Sequence, residues 1–319
     1  MTEGFRYSVY GLALDSNLEL PGLAEGGGGQ ASLTVRGACA PDFAVPTPRP
    51  HFASDLDTLW HLDEERWLLR YDGCRMNAPP WFVEASEGGR RLDIGWSDPA
   101  QVEDIASFFP GPALALALHM RGAFLLHAGA VAVGARAALI MGPSGAGKST
   151  TIAALLRRGY PLVTDDVAAV TDGPDGPAVH SGPRRLRLYA ESAKAAGWDR
   201  ELPRLFRHPA LDDKRYLALD RTCAPASTMP IGAICLLRAR DSARSGVGIE
   251  RLAARDAFPA LLANLYCGRF LDRGRAARAA ARCAELAARV PVLAVSGPDR
   301  LDGLTLLVDE LLGALARIW

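Results

Sequence analysis

The chain has 319 residues, 49% of them apolar and 23% charged, with 36 basic side chains against 36 acidic ones. These proportions match soluble globular proteins, exclude fibrous and disordered classes, and at about 150 residues per domain predict roughly two domains. A formal charge of zero argues against a nucleic-acid partner held by phosphate neutralisation.

Met1 to Tyr10 has no apolar core behind a basic start, so no signal peptide is expected. Short segments rich in aromatic and β-branched residues follow: Phe5 to Leu14, Ala31 to Arg36, Thr58 to Leu62, Arg66 to Tyr71, Trp81 to Ala85 and Arg90 to Trp96. Glycine and proline runs separate them. They predict a small β-rich N-terminal domain over 1–98, whose aromatics (Trp60, Trp67, Trp81, Phe82) either face a bound peptide or fill the core. Asp98 and Pro99 suit a helix start, and Pro110 and Pro112 break that helix before Ala113 to Arg121 resumes it. The apolar stretch from Gly111 to Gly142 is interrupted by His119, Arg121, His127 and Arg136, so no membrane span is expected.

The second domain, 99–319, contains two apolar runs, Ala123–Val133 and Arg136–Met141. Gly134–Ala135 joins them with the chemistry of a type II′ hairpin turn. A helix is predicted from Lys148 to Arg158, closed by Gly159, and then a short buried strand, Pro161–Thr164, ending in Asp165–Asp166. Further strands are expected at Val167–Val170, Ala178–His180, Tyr216–Leu219, Gly232–Leu237 and Val292–Val295. Helices are expected at Ala190–Ala196, Ala254–Tyr266, Arg275–Arg289 and Leu301–Ile318. The arginines of Arg275–Arg289 read as a solvated face rather than an acidic-substrate site.

Six cysteines without C-x-x-C spacing suit a reducing cytoplasm and offer no zinc knuckle. Only three of the 36 basic residues are lysine, Lys148, Lys194 and Lys214. Where lysine survives such replacement, a compact ammonium has a use that a planar guanidinium does not serve; Lys194, on an exposed helix, reads as chance.

Gly142-Pro-Ser-Gly-Ala-Gly-Lys-Ser149 satisfies G-x-x-x-x-G-K-[ST] at every required position. Gly145 and Gly147 let backbone N–H groups turn in around a phosphate. Lys148 reaches the β/γ-phosphates, Ser149 offers a hydroxyl to Mg²⁺, and the next helix adds its N-terminal partial charge. Gly142, Ser144, Gly145, Ala146, Gly147, Lys148, Ser149 and Thr150 are therefore the expected nucleotide-binding set, for ATP with Mg²⁺. The tight hairpin makes the strand feeding this loop antiparallel to Ala123–Val133. With Val133 opposite Arg136, the register carries His127 to a place opposite Gly142, within reach of a γ-phosphate. Asp165 and Asp166 follow one short helix later, at the end of the strand expected beside the loop. Two carboxylates there suggest that one holds Mg²⁺ and the other accepts a proton from an attacking hydroxyl.

His127-Ala-Gly-Ala, the glycine-rich loop and Thr164-Asp-Asp-Val resemble the catalytic domain of the HPr kinase/phosphorylase family. Its fold is similar to the nucleotide site of phosphoenolpyruvate carboxykinase. The resemblance implies an α/β P-loop kinase with a mixed sheet. The whole chain resembles the offshoot of that family that includes lasso peptide tailoring kinases, through Tyr7-Ser-Val-Tyr-Gly-Leu, Leu18–Pro21, Gly182-Pro-Arg-Arg-Leu-Arg-Leu188 and Lys214-Arg215. By that resemblance His127 orients the γ-phosphate or the acidic pair, Asp165 is the base, and Asp166 serves the metal with Ser149; the two Asp roles are exchangeable. Lys214 and Arg215 become candidates for a second phosphate clamp, the alternative being a plain surface strand. Arg184, Arg185 and Arg187 stand where the bifunctional enzymes carry their phosphorolysis features, so phosphorylase activity is not expected. The implied function is transfer of a γ-phosphate to a hydroxyl of a peptide or protein. The alternatives are a kinase for an HPr-like protein or a small hydroxylated metabolite, and a nucleotide-sensing module without transfer.

Overall fold

The computed structural model describes residues 4–26, 29–39, 46, 49–72, 79–98, 102–200, 206–207, 214–219, 223–224 and 227–319. The chain divides into two units, one of Met1–Ala123 with Arg207–Asp212 and Cys267–Arg275, the other of Phe124–Phe206, Asp213–Tyr266 and Ala276–Trp319. The first unit thus runs past residue 98 and takes in a segment from far down the chain.

In the first unit, Tyr10 and Gly11 both adopt left-handed backbone, φ 51° and 74°. That turn splits the expected Phe5 to Leu14 segment into antiparallel β1 (Phe5–Val9) and β2 (Leu12–Ser16). β3 (Ala24–Glu25), β4 (Leu33–Cys39), β5 (Phe52–Ala53), β6 (Asp57–His61), β7 (Trp67–Tyr71), β8 (Trp81–Ser86) and β9 (Arg91–Trp96) complete the sheet. Among the described residues its order is β3-β1-β2-β4-β9-β8-β7-β6-β5, with β4 parallel to both β2 and β9. Leu14, Leu33, Val35, Leu59, Leu69, Val83 and Leu92 are fully buried, and Trp60, Trp67, Trp81 and Phe82 are buried as well. Those four aromatics are core, not a peptide-facing surface.

α1 (Val102–Phe108) gives way to a π-type turn, Phe109–Ala113, in which Gly111 leaves helical geometry beside Pro110 and Pro112. α2 (Leu114–Met120) then resumes, buried along its whole length. The expected helix break is there; Pro99 lies outside the described residues.

In the second unit the run Ala123–Val133 is two strands, β10 (Phe124–Leu126) and β11 (Ala128–Val133), parted at His127. β12 (Arg136–Met141) returns against β11 through a turn with Gly134 at φ 60°, as the Gly-Ala pair predicts. α3 (Lys148–Arg157) ends where Gly159 takes φ 89°, a left-handed residue closing the helix. β13 (Leu162–Thr164), β14 (Ala168–Gly173), β15 (Gly176–His180), β16 (Arg185–Tyr189), α4 (Ala190–Ala195), β17 (Phe206–Arg207) and β18 (Lys214–Ala218) follow. After them come β19 (Thr228–Leu237), β20 (Gly248–Arg251), α5 (Ala254–Ala263), α6 (Arg273–Arg289), β21 (Val292–Ser296) and α7 (Leu304–Ile318).

The main sheet runs β10-β14-β15-β19-β12-β11-β13, with β21 also on β19 and β20 on β21. β12–β19 and β19–β21 are parallel and the other pairs antiparallel, so the sheet is mixed. Alternation on β12 sends Ala138 and Ile140 into a core with α3 and α7, and Ala137, Leu139 and Met141 into a second core with α5 and α6. Burial on both faces explains why this strand reads as a continuous apolar run rather than an alternating one. β16, β18 and β17 make a separate three-stranded sheet. Among the described residues no helix is long and apolar enough to cross a membrane.

Candidate functional site

Three strand ends meet at the site, and the hairpin decides how. β11 is antiparallel to both β12 and β13, so its start lies at the same end of the sheet as their finishes. β12 finishes into Gly142, β13 into Asp165–Asp166, and β11 starts just after His127. The register pairs Val133 with Arg136, as the sequence predicts, and runs to Ala128 with Met141, stopping one residue short of His127 and Gly142. One expectation is corrected. The strand carrying the acidic pair is not beside the strand that feeds the loop; β11 stands between them, because a two-residue hairpin returns the chain to the adjacent position. The chain breaks at His127 because β10 crosses to pair with β14, while the His127 N–H donates to the Asn264 carbonyl (2.7 Å).

The loop from Gly142 to Gly147 holds three glycines at positive φ, Gly145 (φ 81°) among them, and at the other two a Cβ would also lack room. Gly142 has φ 144°, and a Cβ there would collide with the Leu237 carbonyl. Gly147 has φ 94°, and a Cβ there would come 2.5 Å from Arg240 Nη2. Ser144 and Gly145 are exposed at the loop tip, while Ala146 is buried beneath it. Lys148 opens α3 and its Nζ donates to the carbonyls of Gly142 (2.8 Å) and Pro143 (3.2 Å). Burial lowers its pKa, opposed by the charges of Asp166 and Asp165. Loop lysine and acidic pair therefore lie within electrostatic reach of one another. Ser149 is partly buried in the first turn of α3. Thr150 is buried, and its hydroxyl donates to Ser192 Oγ of α4 (3.0 Å), so that side chain is turned to α4.

The acidic pair is held in an uncommon shape. Asp166 adopts φ 63°, a left-handed conformation that costs a residue with a Cβ about 1–2 kcal/mol. Surrounding contacts secure it: His127 Nε2 lies 3.4 Å from Asp166 Oδ1, and Arg187 Nη2 donates to Asp166 Oδ2 (3.2 Å). The backbone N–H of the same Arg187 donates to Asp165 Oδ2 (2.9 Å). Withdrawal from water, and then the neighbouring Asp166 charge, push the Asp165 carboxyl above the usual range, which makes it a better proton acceptor. Burial works against the Arg187 charge, but Asp166, Tyr216 and Asp165 outweigh it and raise its pKa. Tyr266 stacks at a tilt on His127, ring centres 5.8 Å apart.

Arg187 is the residue that sequence reasoning did not place in the site. It sits on β16, and the signal was there: Arg185-Leu186-Arg187-Leu188 alternates with period two, and Leu186 and Leu188 are buried. Lys214 and Arg215 lie on β18, paired with Tyr189 and Leu188; their side chains lie outside the described residues. Two arginines of α6 are engaged elsewhere: Arg282 pairs with Asp172 (2.7 Å) and Glu285 (3.1 Å), and Arg289 lies 3.8 Å from Asp172.

Among the described residues no group of three or more His, Cys, Asp or Glu side chains is placed to hold a metal. The donors at the site are nonetheless hard oxygens, a hydroxyl and two adjacent carboxylates whose mutual repulsion a divalent cation relieves. That set fits Mg²⁺, which usually takes one or two protein carboxylates and completes its shell with water and phosphate oxygens.

No family model matches the chain, and no curated protein matches it. Among solved structures, one to which it is similar is the Hpr(Ser) kinase/phosphatase from Coxiella burnetii, at 14% sequence identity and a TM-score of 0.30, covering 60% of this chain and 97% of that one. A likeness of that size assigns neither family nor activity.

Proposed function

We propose that the chain is a cytoplasmic P-loop kinase, of the HPr kinase and phosphoenolpyruvate carboxykinase type, that transfers the γ-phosphate of ATP to a hydroxyl of a peptide. The acceptor class favoured by the sequence resemblance is a lasso-type peptide precursor with a serine. One observation carries the reading: the glycine-rich loop with Lys148, the acidic pair and His127 come from three different strand ends and meet at one end of one sheet.

In this reading the loop's backbone N–H groups and Lys148 bind the phosphates. Asp165, with its raised pKa, takes the proton of the attacking hydroxyl. Arg187 and His127 hold Asp166 in place. Ser149 and Asp166 would hold Mg²⁺, which would supply charge neutralisation at the phosphate oxygens. Lys214 and Arg215 are proposed as a second phosphate clamp, and residues 1–98 as the part that recognises the acceptor.

The test is transfer of labelled γ-phosphate to a serine peptide by the purified chain with ATP and Mg²⁺. Lys148→Ala should abolish transfer and leave the fold intact, since among the described residues its side chain hydrogen-bonds only loop carbonyls. Wild-type turnover in that variant at saturating ATP would defeat the assignment. Tight ATP binding without transfer to any hydroxyl would point to a sensing module instead.

A further inference from the structure

β16 passes the acidic pair in a direction that its neighbours fix. Just before the strand, the Gly182 N–H donates to the Val163 carbonyl of β13 (2.8 Å). Midway, Arg187 bonds both Asp165 and Asp166. Just after it, Ser192 of α4 accepts the Thr150 hydroxyl from the first turn of α3 (3.0 Å). The order along this stretch is thus Arg185, the acidic pair, and then the helix that the glycine-rich loop opens. Attacking and leaving oxygens lie roughly in line in phosphoryl transfer. A nucleotide held by the loop reaches the acidic pair from the α3 side, so the attacking hydroxyl comes from the other, where Arg185 stands.

Alternation gives β16 two faces. Leu186 and Leu188 enter the core with α3, which leaves Arg185, Arg187 and Tyr189 the opposite face. Arg187 is committed to the acidic pair. Arg185 is partly buried, and its guanidinium carbon lies 4.2 Å from the centre of the Tyr216 ring. β18 sets that tyrosine across the ladder from Arg187, and its burial makes the ring a fixed platform. A guanidinium laid on a ring keeps its donor fork in its own plane, and the fork matches a carboxylate. The Arg185 charge also favours the ionised form of the Asp165 carboxyl, so it stands within electrostatic reach of the reacting group.

We infer that Arg185 sets acceptor specificity by binding a carboxylate that the peptide carries within about two residues of its reacting hydroxyl; the inference rests on the kinase reading above. The spacing supports it. Arg185 and Arg187 are two strand residues apart, about 7 Å, and an extended peptide covers that distance in about two residues. The residue type supports it too. Covering the Tyr216 ring asks only for an apolar side chain. A partly buried guanidinium adds a charge that acts through a lower effective dielectric than one at the surface. Residues 1–98 remain the part proposed for the rest of the acceptor.

The experiment measures kcat and KM of the full chain, at saturating Mg·ATP, for short peptides that carry one serine. Aspartate or asparagine stands at each place up to two residues before or after the serine, and each peptide is made with a free and with an amidated C-terminus. At its best place aspartate should be preferred over asparagine by about tenfold in kcat/KM, chiefly through KM, the scale of one charge-assisted hydrogen bond. A preference that follows the free C-terminus instead would support the site and name the chain terminus as the source of the carboxylate. Arg185→Gln should shrink the ratio to about twofold or less. Arg185→Lys, which keeps the charge but not the fork, should fall between, and it serves where the glutamine variant does not fold. A merely structural arginine would slow all peptides alike. An unchanged ratio in the variants, or a wild type that does not tell the peptides apart, would therefore overturn the inference and leave the kinase reading standing. A wild type that phosphorylates none of them would overturn both.

Discussion

At the scale of single residues, the unusual feature is that one arginine grips two adjacent carboxylates by different means. Asp165 is held by the backbone N–H of Arg187 and Asp166 by its guanidinium, so substitution separates the two. Asp165→Asn should lower kcat by about 10²–10⁴-fold, the range for loss of a general base, with ATP affinity nearly unchanged. Asp166→Asn should chiefly raise the Mg²⁺ concentration needed for half-maximal rate. Arg187→Leu keeps the backbone donor and loses the guanidinium, so its Mg²⁺ profile should follow that of Asp166→Asn. Titrating Mg²⁺ for all three variants checks this, and superimposable profiles for the two aspartate variants would refute the split of roles. The residue types of this site were legible in the sequence because a glycine-rich loop and a carboxylate pair are local signals. Arg187 was not, because it reaches the pair only after the chain has built β14 and β15 and come back as β16.

At the scale of elements, local and distant information part company in the same way. The β11–β12 register could be read directly, since a two-residue turn leaves almost no freedom in pairing. The place of β13 could not: its partner is chosen by packing across the sheet, and the interposed β11 became visible only in the folded chain. Tyr10–Gly11 shows the opposite failure, a local turn hidden inside an apolar run because Tyr10 itself takes a positive φ. In the first unit, β6 and β7 carry a stack with consequences for pH. His61 lies between His51 and Trp67, ring centres 4.0 and 4.1 Å away, and its Nε2 is 3.0 Å from the Phe270 carbonyl oxygen. Burial, and then the neighbouring His51, lower its pKa from 6.5 to about 4. The folded chain therefore keeps His61 neutral at pH values where the unfolded chain protonates it. Its contribution is fully present above pH 6.5, falls as pH drops through the window from 6.5, and is lost near 4. His61→Gln, which retains an amide N–H for Phe270, should flatten this part of the stability profile. Denaturant melts across that window measure it, and an unchanged slope in the variant would show that His61 is not its source.

At the scale of the whole molecule, the chain is not two beads in sequence order, because Cys267–Arg275 belongs to the first unit although it lies between α5 and the rest of α6. Within that unit Phe270 is fully buried and Asp57 is almost fully buried. Asp57 receives hydrogen bonds from the Arg269 guanidinium and Ser54 Oγ. Arg275 covers the Trp67 ring at 4.9 Å. Cutting the chain at the composition boundary near Asp98 would remove β1 to β9 and strip this segment of those partners. Phe270 would be exposed, Arg269 would lose Asp57, and α2, buried along its length, would lose the sheet of its own unit. Each loss of this kind costs about 1–5 kcal/mol, and together they are comparable to the whole stability of a domain. A chain starting at Asp98 should therefore aggregate or melt well below the full-length protein. One starting at Phe124, with a short Gly/Ser linker replacing Cys267–Arg275, should remain soluble and keep ATP binding. Thermal melts and nucleotide calorimetry on both shortened chains decide the matter. Equal behaviour of the Asp98 chain and the full chain would mean that the composition boundary, not the contact boundary, separates the units that fold. Retained ATP binding with lost peptide phosphorylation in the Phe124 chain would support acceptor recognition by the first unit, and phosphorylation by that chain at the full rate would assign the acceptor site to the second unit alone.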